Sequence, residues 1–204
     1  MAAKVLIAFY SRNGSTEALA KAIAEGAESV GAEVRLRRAR ELIGWDVVTS
    51  VPGWAESAER QNALYPAPTA EDAEWADAIA FGSPTRFGII SSELKAYIDS
   101  LGGLWFQGKL FNKTGAAFGA TAGTHGGAET TLIGLFAALS HLGLVIVPNG
   151  YGDPITFQGG TPYGSHTAVD GQYVTAPAEA DIAVAKYQGK RLASVAALLT
   201  PLRG

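Results

Sequence analysis

Apolar residues in this chain come as short unbroken runs, separated by stretches in which they recur at helical spacing. Lys4 to Tyr10 carries Val5, Leu6, Ile7, Ala8 and Phe9 in a row. A run without alternation is the mark of a strand buried on both faces, so it predicts the central strand of a parallel sheet. After the turn Ser11-Arg12-Asn13-Gly14-Ser15, the residues Leu19, Ala22, Ile23, Ala27 and Val30 share one helical face, and Gly31 predicts the stop. Glu33 to Arg38 sets Val34 and Leu36 at alternate positions, the pattern of an edge strand with one wetter face.

Arg40 to Glu71 breaks the pattern with Trp45, Pro52, Trp54, Pro66 and Pro68 in a polar background, which predicts an ordered excursion and not a linker. Strand signal returns at Asp77 to Gly82, is cut by Pro84, and gives way to a helix with Leu94, Tyr97, Ile98 and Leu101 on one face. Gly115 to Ala120 predicts the next strand, Thr121 to Gly127 a glycine-rich loop, and Leu132, Leu135, Phe136 and Leu139 the following helix. Leu144 to Val147 reads as a further strand, ended by Pro148. Asn149 to Ala176 has no period, yet Tyr151, Phe157, Tyr163 and Tyr173 argue against disorder, and long loops of this kind are mostly functional. A last helix is predicted from about Pro177, with Glu179 and Asp181 in its first turn and Leu192, Val195 and Leu199 toward its end.

Strands separated by helices imply right-handed βαβ crossovers. The expected architecture is one α/β domain over residues 1–204: a doubly wound five-stranded parallel sheet of order 2-1-3-4-5 with helices on both faces, and excursions at about 40–71 and 149–176. Ligands of such sheets bind at the carboxyl ends of strands where the winding reverses. The candidate site is therefore built by the loops after Tyr10, Gly82 and Ala120.

Composition narrows the chemistry. With 48 % apolar and 17 % charged residues a packed core is expected, and a net charge of −3 with mixed signs disfavours a nucleic-acid partner or a strongly acidic electron-shuttle surface. The expected partners are small molecules or further copies of the chain. Cysteine is absent, which excludes thiol catalysis, disulfides, iron–sulfur clusters and cysteine zinc sites. His125, His141 and His166 lack metal-ligand spacing, so no metal is expected. No run approaches the ~20 apolar residues of a membrane span, and Met1 to Lys4 leads straight into a strand, which makes the cytoplasm the default expectation.

Each candidate loop has two readings. Ser11-Arg12-Asn13-Gly14-Ser15-Thr16 offers hydroxyls and a helix N-terminus suited to a phosphate, but the same residues also spell an ordinary capped turn. There is no G-x-G-x-x-G and no G-K-[ST], which disfavours a dinucleotide Rossmann site and a nucleoside triphosphatase. In Ser83-Pro84-Thr85-Arg86-Phe87-Gly88 a rigid turn presents the N–H and hydroxyl of Thr85 and the ring of Phe87, features that fit a flat heteroaromatic ligand; alternatively Arg86 pairs with Glu93 and Phe87 is core. Thr121-Ala122-Gly123-Thr124-His125-Gly126-Gly127 reads as a lid over a ligand or as a mobile surface turn.

The strings Ala80-Phe-Gly-Ser-Pro-Thr-Arg-Phe-Gly88, Gly102-Gly-Leu-Trp105, Leu142-Gly-Leu-Val-Ile-Val-Pro148, Gly159-Gly-Thr-Pro-Tyr-Gly164 and Ala185-Lys-Tyr-Gln-Gly189 together resemble the WrbA family of NAD(P)H:quinone oxidoreductases, whose fold is flavodoxin-like and whose cofactor is flavin mononucleotide (FMN). The resemblance covers nearly the whole chain. It implies that Ser11 through Thr16 hold the FMN phosphate, that Pro84, Thr85, Arg86, Phe87 and Gly88 line the flavin edge, and that Thr121, Ala122, Gly123, Thr124, His125 and Gly126 form the remaining flavin loop. It further implies that Trp105 and Phe87 wall the substrate pocket, that His141 points toward flavin and substrate, and that Gly159 to Gly164 crosses to a neighbour in a homotetramer with shared sites. Asn13 stands where relatives commonly carry an aromatic ring, and Ser15 and Thr16 replace a His and aliphatic pair. From the residues alone, His141 also reads as a helix-dipole partner and Trp105 as a packing anchor.

The implied activity is two-electron reduction of quinones to quinols by NAD(P)H through tightly but non-covalently bound FMN, a ping-pong cycle with hydride passing through flavin N5, in which His141 or solvent supplies a proton. Two rivals remain at this point: a one-electron carrier of flavodoxin type, and a cofactor-free binding or assembly module.

Overall fold

In the computed structural model, which describes residues 2–169 and 176–202, the first half of the chain runs β1 (Lys4–Phe9), α1 (Ser15–Glu28), β2 (Glu33–Arg38), α2 (Trp45–Ser50), α3 (Trp54–Leu64), α4 (Ala70–Trp75) and β3 (Ala78–Pro84). There follow α5 (Ser92–Ser100), α6 (Gly102–Phe106), β4 (Thr114–Thr121), α7 (Ala128–His141), β5 (Val145–Ile146), a 3-10 turn at Pro154–Phe157, β6 (Gly164–Ala168) and α8 (Glu179–Leu199). The strands pair in the order β2-β1-β3-β4-β5, and β1 pairs in parallel with both β2 and β3. This is the expected doubly wound sheet. Tyr173, and with it residues 170–175 of the second expected excursion, lies outside the described residues.

Alternation along β1 divides the interior in two. Val5, Ile7 and Phe9 face α1 and α8, whereas Leu6, Ala8 and Tyr10 face the side carrying Ala73 of α4, Leu94 and Ile98 of α5, and Leu132 and Leu135 of α7. Both faces are covered, as a parallel sheet requires. The helices α1 and α8 cross backbone against backbone: a Cβ on Gly26 would stand 1.9 Å from the Lys186 carbonyl oxygen, and one on Gly189 would stand 1.9 Å from that of Ile23. Glycine at these positions is a packing requirement. Val30, expected on the buried face of α1, lies beyond the helix end and is exposed, because the chain turns at Gly31 with φ +83°.

The fifth lane of the sheet departs from expectation, since it holds two strands where one was predicted. Thr114 and Gly115 of β4 pair with Val145 and Ile146, and Ala117 to Thr121 pair with Gly164 to Ala168. Residues 147–163 leave the lane and return to it. At the join, Gln188 of α8 stands in for the ladder: its Nε2 donates to the Ala117 carbonyl (2.8 Å) and its Oε1 accepts from the Ser165 N–H (3.0 Å). Two backbone groups are satisfied by one buried amide. The segment read as aperiodic thus hides a strand, Gly164-Ser-His-Thr-Ala168, that has no apolar run to announce it.

The first excursion is ordered, as predicted, and folds as α2 and α3 around a small cluster of Val48, Trp54 and Ala58. Ion pairs bind the edge of the sheet to α4. Asp72 accepts from Arg35 Nη1 (3.1 Å) and Arg37 Nε (2.8 Å) of β2, and it forms a capping box with Thr69 at the start of α4. The other end of α4 rests on Lys113, whose ammonium donates to the carbonyls of Ala73, Glu74 and Ala76 at 2.8, 2.6 and 2.6 Å. Acid at the helix start and cation at its end both complement the helix dipole. Among the described residues no helix is long and apolar enough to cross a membrane.

Burial by itself would raise the Asp72 carboxyl, but hydrogen bonds and charge from Arg37 and Arg35 outweigh it and hold the group below its ordinary 3.8. Asp72→Asn is expected to cost about 1–3 kcal/mol near neutral pH by urea denaturation, less than a fully enclosed pair would lose because Arg35 keeps solvent contact. Since the folded value lies below the unfolded one, this stabilisation is fully present above the unfolded value and is lost as pH falls through the folded one. The gap between variant and parent should therefore close in acid; a gap unchanged from neutral pH down to about pH 3 would contradict the assignment.

Candidate functional site

The loop after β1 is held from beneath. The Ser11 carbonyl, just past the end of the strand ladder, accepts from Arg38 Nη2 (3.1 Å) and from Gln61 Nε2 (3.2 Å). Arg38 is fully buried at the end of β2, with the Tyr10 ring 5.3 Å from its guanidinium carbon. Its remaining donors reach Glu41, the Asn62 Oδ1 (2.6 Å) and the Gln61 Oε1 (3.3 Å). A buried guanidinium survives only when its charge and its N–H fork are both met. Burial alone would raise the Glu41 carboxyl; the hydrogen bonds and charge of Arg38 reverse that and hold it down. The first excursion supplies Glu41, Gln61 and Asn62, so its task is to brace this loop.

Gly14 has φ +100° and is the N-cap of α1, its N–H donating to Ser11 Oγ (3.0 Å). Among the described residues no side-chain oxygen caps the first N–H groups of the helix. The ordinary capped turn is therefore not what forms; the donors of the first turn stay free to meet an anion. Glu17, the acid nearest those donors, is turned toward Arg60 and Tyr65, which bind both its oxygens. Burial would raise its carboxyl, and these two partners more than offset that.

The second and third loops are stitched to each other. Thr85 N–H donates to the Ala120 carbonyl (2.8 Å), so the N–H expected to be presented to a ligand is spent on β4. Thr131 donates its one proton to the Gly127 carbonyl (2.8 Å), which makes Thr85 the donor in the 3.0 Å contact between their hydroxyls. Thr85 thus offers a ligand acceptor lone pairs. Arg86 and Ile89 exchange both backbone hydrogen bonds (2.8 and 3.1 Å) across Phe87 and Gly88, whose φ values are +51° and +82°. Two positive φ values make this a primed hairpin turn, a place where a bulky side chain is strained. Phe87 is fully exposed there, so it is not core, and Arg86 donates to the Thr85 carbonyl without pairing with Glu93 among the described residues.

The three loops enclose one cleft. Ser11, Arg12, Asn13, Ser15 and Thr16 face Pro84, Thr85 and Arg86 across it, with Ala120, Thr121, Ala122 and Val169 closing the far side. Two arginines line it and, among the described residues, no carboxylate does. Such a cleft suits a ligand with a phosphate at one end and a flat polar ring at the other, which is the shape and charge of FMN. Gly14, Phe87, Gly88 and the tip Gly123, Thr124, His125 and Gly126 belong to the same loops but do not line the cleft; Thr124 and His125 are exposed.

His141 and Trp105 are brought together elsewhere. They share a groove with Ile98, Gly102, Gly134 and Ala138, between α5, α6 and α7, and no residue of that groove lines the cleft. Trp105 is 54 % exposed, more than a packing anchor would be. Sequence reasoning missed a different histidine. His166 of β6 is buried behind the third loop with its Nε2 3.0 Å from Thr121 Oγ1; because Thr121 donates to the Gly123 carbonyl (2.9 Å), His166 is the donor. Burial lowers its imidazole below the ordinary value and keeps it neutral at pH 7. Its only sequence signal was a histidine in a segment that looked aperiodic.

Comparison with known proteins adds the following. Residues 1–153 match the family described as NADPH-dependent FMN reductase. A protein of Deinococcus radiodurans named NAD(P)H dehydrogenase (quinone) is 42 % identical over 197 residues, covering 96 % of this chain and 96 % of its own. One of Methylocella silvestris with the same name is 42 % identical over 204 residues, covering 97 % and 98 %. Among solved structures, a flavodoxin, WrbA-like protein from Agrobacterium tumefaciens superposes with a TM-score of 0.68 at 25 % identity, over 98 % of this chain and all of that one. An archaeal flavodoxin superposes with a TM-score of 0.59 at 20 % identity over 95 % of this chain and 99 % of its own, a likeness of fold.

The bracing of the first loop is open to test. Arg38→Met leaves Glu41 buried without its partner and is expected to cost about 3–5 kcal/mol in denaturant unfolding, while the double variant with Glu41→Leu regains part of that loss. A double variant no better than the single one would show that Arg38 acts through something other than this charge pair.

Proposed function

We infer the following function for this chain, which belongs to the NADPH-dependent FMN reductase family and, within it, to the WrbA-type NAD(P)H:quinone oxidoreductases: it binds FMN in the cleft of the three loops and reduces quinones at the expense of NAD(P)H. The observation that carries this reading is the uncapped start of α1 set in a cleft with two arginines and, among the described residues, no acid, at the point where the sheet reverses its winding. Backbone N–H groups of Asn13, Ser15 and Thr16 and the hydroxyls of Ser15 and Thr16 would hold the flavin phosphate, the Gly14 N–H being taken by Ser11 Oγ. Pro84, Thr85 and Arg86 would border one edge of the ring and Thr121 with Ala122 the other. When bound there, the flavin would supply two-electron redox chemistry between the nicotinamide and the quinone.

The chain's own residues bear the rest. One surface over the ring serves both substrates in turn, so the kinetic order we propose is ping-pong. Moving two electrons together fits a role in protection against oxidative stress. His141 and Trp105, which sit apart from the cleft of their own chain, are proposed to serve the cleft of a neighbouring copy, Trp105 as an apolar wall and His141 as proton donor to the quinol oxygen. Exposed Phe87, Ile89, Trp105 and Phe106 supply apolar surface that such an assembly would cover, and a homotetramer with shared sites is the arrangement we propose.

Purified protein, supplied with FMN, is expected to show a flavin spectrum and to oxidise NAD(P)H rapidly only when benzoquinone is present. Initial rates at several fixed quinone concentrations should give parallel double-reciprocal lines. Converging lines, which report a ternary complex, would overturn the proposed order, and failure to take up FMN would overturn the function.

A further inference from the structure

We propose that Arg12, laid flat on the indole of Trp54, is the cleft-rim cation that binds a phosphate of the incoming nicotinamide dinucleotide and thereby sets the affinity for that substrate; the proposal rests on the function inferred above. The guanidinium carbon of Arg12 lies 4.1 Å from the centre of the Trp54 ring, and its Nε is enclosed without an acceptor. Among the described residues no protein oxygen accepts from Arg12. Arg38 and Arg60, which also approach the first loop, are compensated by Glu41 and Glu17, and Arg86 of the second loop is engaged with the Thr85 carbonyl. A donor kept from water with no partner is costly, and stacking on an aromatic face holds the fork of the guanidinium in one orientation. An oriented and uncompensated guanidinium at a cleft mouth is built to receive an anion in bidentate fashion.

Position selects which anion. Trp54 opens α3 in the excursion that follows β2, and β2 lies on the side of β1 opposite β3 and β4. Arg12 is thus held against the excursion that follows β2, at the β2 side of the cleft it shares with Thr85 and Thr121, the side proposed for the flavin ring. The flavin phosphate has the free N–H groups of α1 and the hydroxyls of Ser15 and Thr16 inside the loop. A nicotinamide dinucleotide is the longer ligand and carries its phosphates away from the nicotinamide, so its far end meets the rim. Two sources share this chemistry: the pyrophosphate, common to NADH and NADPH, and the 2′-phosphate that NADPH alone carries. Trp54, only 7 % exposed, is a positioning residue acting through Arg12.

The test compares Arg12→Gln, Trp54→Leu and Trp54→Phe with the parent in three measurements: FMN titration of apoprotein, calorimetric titration of FMN-loaded protein with adenosine 2′,5′-bisphosphate and with 5′-AMP, and steady-state kinetics with each nicotinamide. Arg12→Gln is expected to weaken adenosine 2′,5′-bisphosphate binding and raise the KM for NADPH by about 10-fold, with kcat and FMN affinity held within about 2-fold. Trp54→Leu should show about a third of that change, and Trp54→Phe, which keeps an aromatic platform, should restore most of it. A loss confined to NADPH assigns the 2′-phosphate; an equal loss with NADH assigns the pyrophosphate, and either supports the proposal. Weakened FMN binding with unchanged KM values would overturn it by making Arg12 the counter-charge of the flavin phosphate. An apoprotein that takes up no FMN would instead sink the function on which the proposal stands.

Discussion

The carbonyl of Ser11 is the point on which this structure turns. On the β2 side of β1 it is the first backbone oxygen past the last rung, the Phe9 carbonyl that accepts from Ala39 N–H, and a buried oxygen there has to find donors elsewhere. Arg38 and Gln61 both supply them. Their presence explains why the chain makes a long detour after β2. The detour returns Glu41, Gln61, Asn62 and Trp54 to one spot beneath and beside the first loop, which frees the hydroxyls of Ser15 and Thr16 and the first turn of α1 from structural duty, while Ser11 Oγ still holds the Gly14 N–H. A loop that must hold itself up by side-chain capping has fewer donors to offer a ligand.

The parts legible from sequence are those where one physical cause dominates. The unbroken apolar runs of β1, β3 and β4 announce strands buried on both faces, and the spacing of Leu132, Leu135 and Leu139 announces α7, because burial alone decides those positions. The three loops of the cleft were legible from topology, since reversal of winding places them at one edge. What stayed hidden depends on partners distant along the chain. Nothing in Glu33 to Arg38 marks Arg38 as a fully buried cation among arginines that read as solvated, and nothing in Gly164 to Ala168 marks a strand, because it has no apolar run and its pairing begins beside a rung that Gln188 completes. The strands end where hydrogen-bond partners run out, and those partners are not neighbours in sequence. Likewise Thr85 looked like a source of an N–H donor, and only its contact with Ala120 shows that the donor is taken.

Two surfaces of unlike character follow. The cleft is polar and basic and is assembled from loops that brace one another through Thr85, Thr131 and Gly127. The groove of Trp105 and His141 is largely apolar and is assembled from helices. Phe87 stands between these two worlds: it belongs to a cleft loop by sequence, yet its turn aims the ring into solvent at a backbone conformation unfavourable for an aromatic residue. Strain of this kind is kept where surroundings over-determine it, and the reciprocal hydrogen bonds of Arg86 and Ile89 are what over-determine it here.

The broken outer lane of the sheet has a consequence for how this scaffold can be altered. Because β5 and β6 each pair, among the described residues, only with β4 and the gap between them is bridged by a side chain of α8, the other four strands are complete whatever length of polypeptide joins the two halves. Loop-closure entropy grows slowly with length. The exposed turn at Tyr151 and Gly152 is thus the natural place to graft a peptide or a reporter, whereas a graft after β2 would sever the bracing of the first loop.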